Sequence, residues 1–486
     1  MASDNSGISS CIATSWWQPV LFAGLAGGMG WGIRGQYGHE TGAMIAGLLV
    51  SLTLVFLMAP PTIKSLSAAR AAALATAAIG IGGTMTYGQT IGLTQNANFI
   101  GHWEAWRWGM IGLSIKGGIW ISFAGAFLGI GLGGVKYRYR EMLLLMGGLL
   151  VAYMAGIFLL NSPFDPANKK LPGIYFSESW YWNPDGVDLK PRYEYWGGLL
   201  FALVALVVYA SLIRKDRLSL HMALWGFLGG ALGFPLGQCL QSFHAWNPEV
   251  FHHGFWVSLD PYMNWWNMME ITFGTIMGSL LGLGIWLNRA RIHFPTETEP
   301  HNSIPSAWEW GLFVVHCFLL VAAEFIEIPV IMELYDNGLI LAIIPIVAVT
   351  GGAWWPYFLI FPVTLVPIAG KTLRSLGYEE MSISLQAGWI LYVILPVSLA
   401  VLAAVYFKKK ADLGQSCRQF AGIALLATTW LYFSLNYAFF NFPFPWLPWT
   451  GRTPSGLIFT TCTLGLTLLV FFGTRKSYAP SATAAS

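Results

Sequence analysis

From residue 17 onward the chain alternates long apolar runs with short polar interruptions. A helix needs roughly 20 apolar residues to cross about 30 Å of hydrocarbon. Runs of that order lie near 17–33, 42–59, 71–93, 108–134, 140–160, 195–213, 220–240 and 266–287. The second half adds 308–333, 339–353, 355–370, 385–407, 420–439 and 456–473. Gly351, Gly352 and Pro356 interrupt 339–370, which reads either as two short spans or as one broken helix. The pattern predicts an all-α fold: a polytopic integral membrane helical bundle of about 14 spans, forming a single transmembrane domain over 1–486.

Composition strengthens this picture. A soluble protein carries about a quarter of its residues as Asp, Glu, Lys or Arg. Here 26 basic and 23 acidic residues make up 10% of a chain that is 55% hydrophobic, with a mean hydropathy of +0.57. Neither a soluble globular enzyme nor a disordered chain keeps so much apolar surface out of water. The net charge of +3 is too small, and too dispersed, for nucleic-acid binding. The segment MASDNSGISSCIATSWW lacks the basic start and compact apolar core of a cleavable signal, so the first span is expected to direct insertion.

Basic residues orient the bundle, because Lys and Arg are retained on the cytoplasmic side. They cluster at Lys64/Arg70, Lys136/Arg138/Arg140, Arg214/Lys215/Arg217, Arg289/Arg291, Lys408–Lys410 and Arg475/Lys476. An even number of spans separates successive clusters if 339–370 counts as two, which puts both termini in the cytoplasm, with a cell (inner) membrane as the expected location. Of the paired or clustered basic residues at span ends, Lys371 and Arg374 then fall outside, the one dissent. The opposite loops, including the long extracytoplasmic loop 161–194, collect His, Asn, Gln and aromatic residues. An aromatic belt at the headgroups accounts for single Trp and Tyr residues. It accounts less well for His39, His102, His244, His252 and His253 all falling on one side.

Glycine marks an internal repeat. GLAGGMGWGIRGQ (24–36) aligns without a gap on GFLGGALGFPLGQ (226–238), and GAFLGIG (125–131) matches GSLLGLG (278–284). Hairpins 71–134 and 220–287 therefore read as candidate parallel copies. Glycine stripes serve close helix packing first; parallel repeats are also a common plan for transporters, with the site at their interface.

Polar groups inside spans carry the functional expectation, since each ionised one costs about 3 kcal/mol at mid-bilayer. Arg34, Gln36, His39 and Glu40 crowd the interval between two spans. With Gln89, Gln238, His102 and His244 they form the expected substrate-binding set, the three glutamines lining one pocket. Lys116 and Glu270 occupy matching hairpins and are expected to pair. Glu324 and Glu327, at i, i+3, are expected to form a proton or cation coupling site. Five scattered cysteines, with no CxxC or HExxH, point to no disulfide, metal or cofactor. The expected partners are the lipid bilayer and either a small polar solute or a lipid-linked substrate, with oligomerisation left open. The expected function is a multi-pass membrane transporter for a small polar, sugar-like solute bound near the extracytoplasmic side. The alternatives are an outer-leaflet transferase on a lipid-linked glycan, in which His39, Glu40, His102 or Glu104 would act as base or acid, and a scaffold subunit without chemistry.

Overall fold

The computed structural model describes residues 15–60, 63–85, 87–177, 182, 191–293, 304–326, 328–336, 338–440, 442 and 444–475; the side chains of Gln36, Leu339, Thr474 and Arg475 lie outside that description. The protein is an all-α polytopic bundle. Its helices are α1 (Trp17–Ile33), α2 (Glu40–Met58), α3 (Ser65–Gly82), α4 (Gly88–Gln95) and α5 (Trp103–Leu132). They continue as α6 (Tyr139–Leu160), α7 (Trp196–Ile213), α8 (Arg217–Trp246), α9 (Trp265–Leu287) and α10 (Ser306–Phe325). After these come α11 (Pro329–Asp336), α12 (Ile340–Gly351), α13 (Trp355–Glu379), α14 (Leu385–Asp412), α15 (Cys417–Phe440) and α16 (Thr453–Arg475).

Among the described residues, 12 helices are long and apolar enough to cross a membrane, or 13 if α11 and α12, bent by 60°, make one span. The first run, α1, is a shorter helix of 17 residues. Two expected boundaries change, and one left open is settled. The run 71–93 is not one helix: α3 stops at Gly82, where the Gly83 amide turns back to Gly80 O, and α4 starts afresh at Gly88. Gly83 sits where the Glu40 backbone comes close: a Cβ there would lie 2.5 Å from Glu40 Cα. The run 308–333 ends at Phe325, and Pro329 opens the next helix. The run 339–370 divides between α12 and α13, the gap being held by buried Glu309, which accepts the amides of Ala353 (3.0 Å), Trp354 (2.8 Å) and Trp355 (3.1 Å). A carboxylate is affordable there because it satisfies three donors that open α13.

Six helices close a ring in the order α1, α9, α8, α5, α3, α2 and back to α1. Its tightest seams are made by glycine. A Cβ on Gly27 would meet Gly274 O at 2.2 Å between α1 and α9, and one on Gly230 would meet Gly117 O at 1.8 Å between α8 and α5. Lipid supplies no hydrophobic drive for association, so backbone contact of this kind replaces it. Outside the ring, α15 packs on α2 and α3, α16 on α1 and α15, and α6 pairs with α7. Outer helices such as α6 and α14 present Leu144, Phe158, Leu399 and Leu402 outward, an apolar surface suited to a bilayer.

The basic loops meet at one end of this ring. Arg214 donates to Lys136 O, His293 N to Leu132 O at 2.9 Å, Arg70 to Gly352 O at 2.9 Å, and Arg418 to Gly473 O at 3.2 Å. Lys64 pairs backbone with Ser416. The first turns of α1 reach the same end, where Pro19 O lies against Gly282 late in α9.

Candidate functional site

Two chain breaks face each other inside the ring, away from its basic end. One is the turn 34–39 between α1 and α2; the other is 83–87 between α3 and α4. Breaking a helix within a membrane leaves amides and carbonyls that must find partners in the protein. Here α9 and α5 provide them. Asn267 Nδ2 donates to Gly32 O at 2.6 Å, and Trp120 Nε1 donates to Ile79 O at 2.8 Å. Gly38 turns the first break at φ 81°, a conformation open to glycine.

At the meeting point lies Arg34, 1% exposed. Its Nη2 contacts Glu270 Oε1 at 3.0 Å and donates to the Tyr87 hydroxyl, and its Nη1 lies 3.1 Å from His39 Nδ1. Glu270 also accepts Trp266 Nε1 at 3.2 Å. The guanidinium carbon sits 4.8 Å from the ring centre of Trp31, 5.3 Å from Tyr87 and 5.7 Å from Trp120. Phe273 and Phe234, stacked at 4.6 Å, complete an aromatic wall with Trp31 and Tyr87. The result is a charged, donor-rich centre with ring faces around it, the usual composition of a small-molecule site. Glu270 lies five residues into α9, about 8 Å along the helix from its start.

Two further ionic clusters flank this centre. Lys116 binds Glu194 at 2.6 Å and Thr90 on α4 at 2.8 Å, with Ser177 Oγ and Phe176 N also donating to Glu194. Lys371 on α13 donates to Tyr37 O (3.0 Å) and Thr41 (3.1 Å) and lies 3.6 Å from Glu324, which also meets Arg374 at 3.3 Å. A Cβ on Gly38 would lie 2.8 Å from Lys371 Nζ and 3.7 Å from Glu40 Oε2, so this cluster adjoins the Arg34 turn. Lys371 and Arg374, out of step with the other basic groups, are thus partners of a buried carboxylate.

The expected set divides accordingly. Arg34, His39 and Glu270 come together, with Glu40 beside them. The expected pairing of Lys116 with Glu270 is not formed: Glu194 and Arg34 take their places, because the hairpin alignment said nothing about which helix faces meet. Gln89 and Gln238 are held by different partners. Gln89 accepts Arg192 N at 3.2 Å, whereas Gln238 donates to Thr94 at 2.8 Å between α8 and α4. The Gln36 side chain and all of Glu327 lie outside the described residues. His102 caps α5 through Ala105 N at 3.2 Å, and His244 bonds Asp260 at 3.0 Å while stacking on Trp265. Both serve loop architecture at the rim. Sequence reasoning missed Tyr87, Trp31, Trp120 and Glu194; of these only Glu194, an acid directly ahead of an apolar run, carried any local signal.

Below the centre, toward the basic end, the ring is shut. Gly47, Val50, Ser51, Ala75, Ile79, Ala124, Leu128, Met277 and Leu281 enclose a cavity of about 10 Å³. That is no more than one water requires. Comparison with protein-family models, with curated proteins and with solved structures finds no match to this chain.

Proposed function

We propose that this multi-pass membrane protein is a transporter for a small polar solute, bound at Arg34 among Trp31, Tyr87 and Trp120. The observation that carries the reading is the meeting of the α1–α2 turn and the α3–α4 helix break at a buried ion pair inside a closed helical ring. Broken helices are tolerated at membrane depth where they line a site, and their ends supply polar groups to a solute. The apolar plug between the site and the basic end is what a closed inner gate requires, with the basic end taken as cytoplasmic. Seams of backbone-to-backbone glycine contact suit helices that slide or rock as units.

The test is uptake into proteoliposomes of labelled hexoses, polyols and sugar acids. Wild-type protein is expected to accumulate at least one of them, and Arg34→Met, compared at equal amounts of reconstituted monodisperse protein, to accumulate none. Uptake of none by wild type, or uptake indifferent to Arg34→Met, overturns the reading.

A membrane transferase is the second reading, favoured by one observation: the three ionic clusters all lie on the same side of the apolar plug. It calls for turnover of a lipid-linked substrate in detergent, where no gradient exists.

A further inference from the structure

The Arg34–Glu270 pair has the form of a binding site occupied by a stand-in. Glu270 reaches Arg34 from another helix, as a carboxylate ligand would, while its surroundings leave specific groups unmet. Among the described residues, the buried donors Arg34 Nε and Trp31 Nε1 have no hydrogen-bond partner. Unmet buried donors cost about 1–3 kcal/mol each, and an acceptor-rich ligand removes that cost. Lys371 and Arg192 add positive charge near His39, on the same side of the site. A guanidinium presents five N–H donors in a fork matched to carboxylate geometry, and it uses few of them here.

Asn267 supplies the other half of the argument. It lies one turn before Glu270 on α9, with Nδ2 3.4 Å from Glu270 Oε2, and its Oδ1 is buried without a partner. As it stands the amide turns its donor, Nδ2, to the ionised carboxylate. When Glu270 carries a proton, turning the amide over brings the unmet Oδ1 round as the acceptor for its O–H. The charged or titratable groups facing Glu270 are Arg34 from the α1–α2 turn, Tyr87 from the α3–α4 break and Arg452 ahead of α16. Glu40, at the start of α2, acts on Arg34 and Tyr87. The α8 residues packed over this stretch are Gly233, Phe234 and Gly237, which do not titrate.

We propose, on the transporter reading above, that the solute is a small organic carboxylate that replaces Glu270 on Arg34, and that Glu270 then takes up one proton and carries it across with the solute. The exchange balances. The Arg34–Glu270 salt bridge opens and an Arg34–solute salt bridge forms. A hydronium ion from the loading side gives its proton to the Glu270 carboxylate, leaving water and a neutral acid bonded to Asn267 Oδ1. The site holds no net charge before or after, so the apolar plug is crossed without moving a bare ion, which is costly in a low-dielectric interior.

Proteoliposomes containing a trapped pH dye are given either glucuronate or glucose, and either quinate or inositol, so that acid and neutral ring compounds are compared. Wild-type protein is expected to take up at least one acid with about one proton per molecule. Glu270→Gln should move no protons with whatever acid it takes up, and Arg34→Lys should bind the acid at least about 100-fold more weakly. Infrared difference spectra on addition of the acid should show a new protonated-carboxyl band in wild type that is absent from Glu270→Gln. Uptake of glucose or inositol in preference to the acids overturns the carboxylate inference and leaves transport standing. Uptake of none of the four overturns both. Acid uptake without protons, or with protons still moving in Glu270→Gln, overturns the coupling role.

Discussion

Arg34 and Glu270, 236 residues apart in the chain, meet at 3.0 Å in the interior of the ring with almost no exposure. Removing one partner of such a pair strands a buried charge at a cost of about 3–5 kcal/mol, whereas removing both avoids that cost. Arg34→Met and Glu270→Met are therefore each expected to lower the yield of monodisperse protein on size exclusion. The double variant should recover much of that yield and remain inactive in uptake. Additive losses in yield would mean that the two charges do not support one another.

The same logic separates Glu194 from Glu270 as the partner of Lys116. A double-mutant cycle of Lys116→Met with Glu194→Gln should show a coupling energy of about 1–3 kcal/mol in thermal unfolding. The cycle of Lys116→Met with Glu270→Gln should be near additive, since the two residues bind different partners.

Glycine substitutions should sort by what a Cβ meets. Gly230→Ala forces its new methyl into Gly117 O across the α8–α5 seam, whereas a Cβ on Gly148 meets nothing within 4 Å. Gly230→Ala is expected to destabilise by several kcal/mol or to fail to assemble. Gly148→Ala should be neutral or stabilising by up to about 1 kcal/mol. Thermal unfolding in detergent measures both, and equal effects would argue against the α8–α5 contact.

Glu309 closes the gap between α12 and α13 with three amide hydrogen bonds. Glu309→Gln keeps the shape but loses the charge at the start of α13, and should cost about 1–2 kcal/mol; Glu309→Ala leaves the amides unmet and should cost more. Unfolding midpoints in the order wild type, Gln, Ala are the expected outcome, and any other order counts against the cap.

Topology is checked by single-cysteine labelling. Lys409→Cys, at the basic end, is expected to react from the cytoplasmic face, and Lys169→Cys, in the exposed loop after α6, from the opposite face. Reaction of both from one face would invert or dissolve the proposed sidedness of the site.

Hydropathy and charge already located nearly every membrane-length helix, and they placed Arg34, Lys116, Glu270 and Glu324 as the groups most costly to bury. Both signals are local: apolar length and charge placement are each read a few residues at a time. The basic loops were likewise assigned to a common end from their alternation, and their contacts through Arg214, Arg70 and Arg418 agree. What each charge pairs with was not legible, because pairing depends on which helix faces meet. In this bundle that is decided by glycine seams such as Gly27 on Gly274 and Gly230 on Gly117. Glycine is frequent along the whole chain, so its sequence spacing does not single out the neighbour. The break at Gly83 shows the same limit. The run 71–93 is apolar enough to be one helix, yet it breaks after Gly82, beside the Glu40 backbone, and Tyr87 in the break reaches Arg34, building the site from two segments that local sequence alone would keep apart.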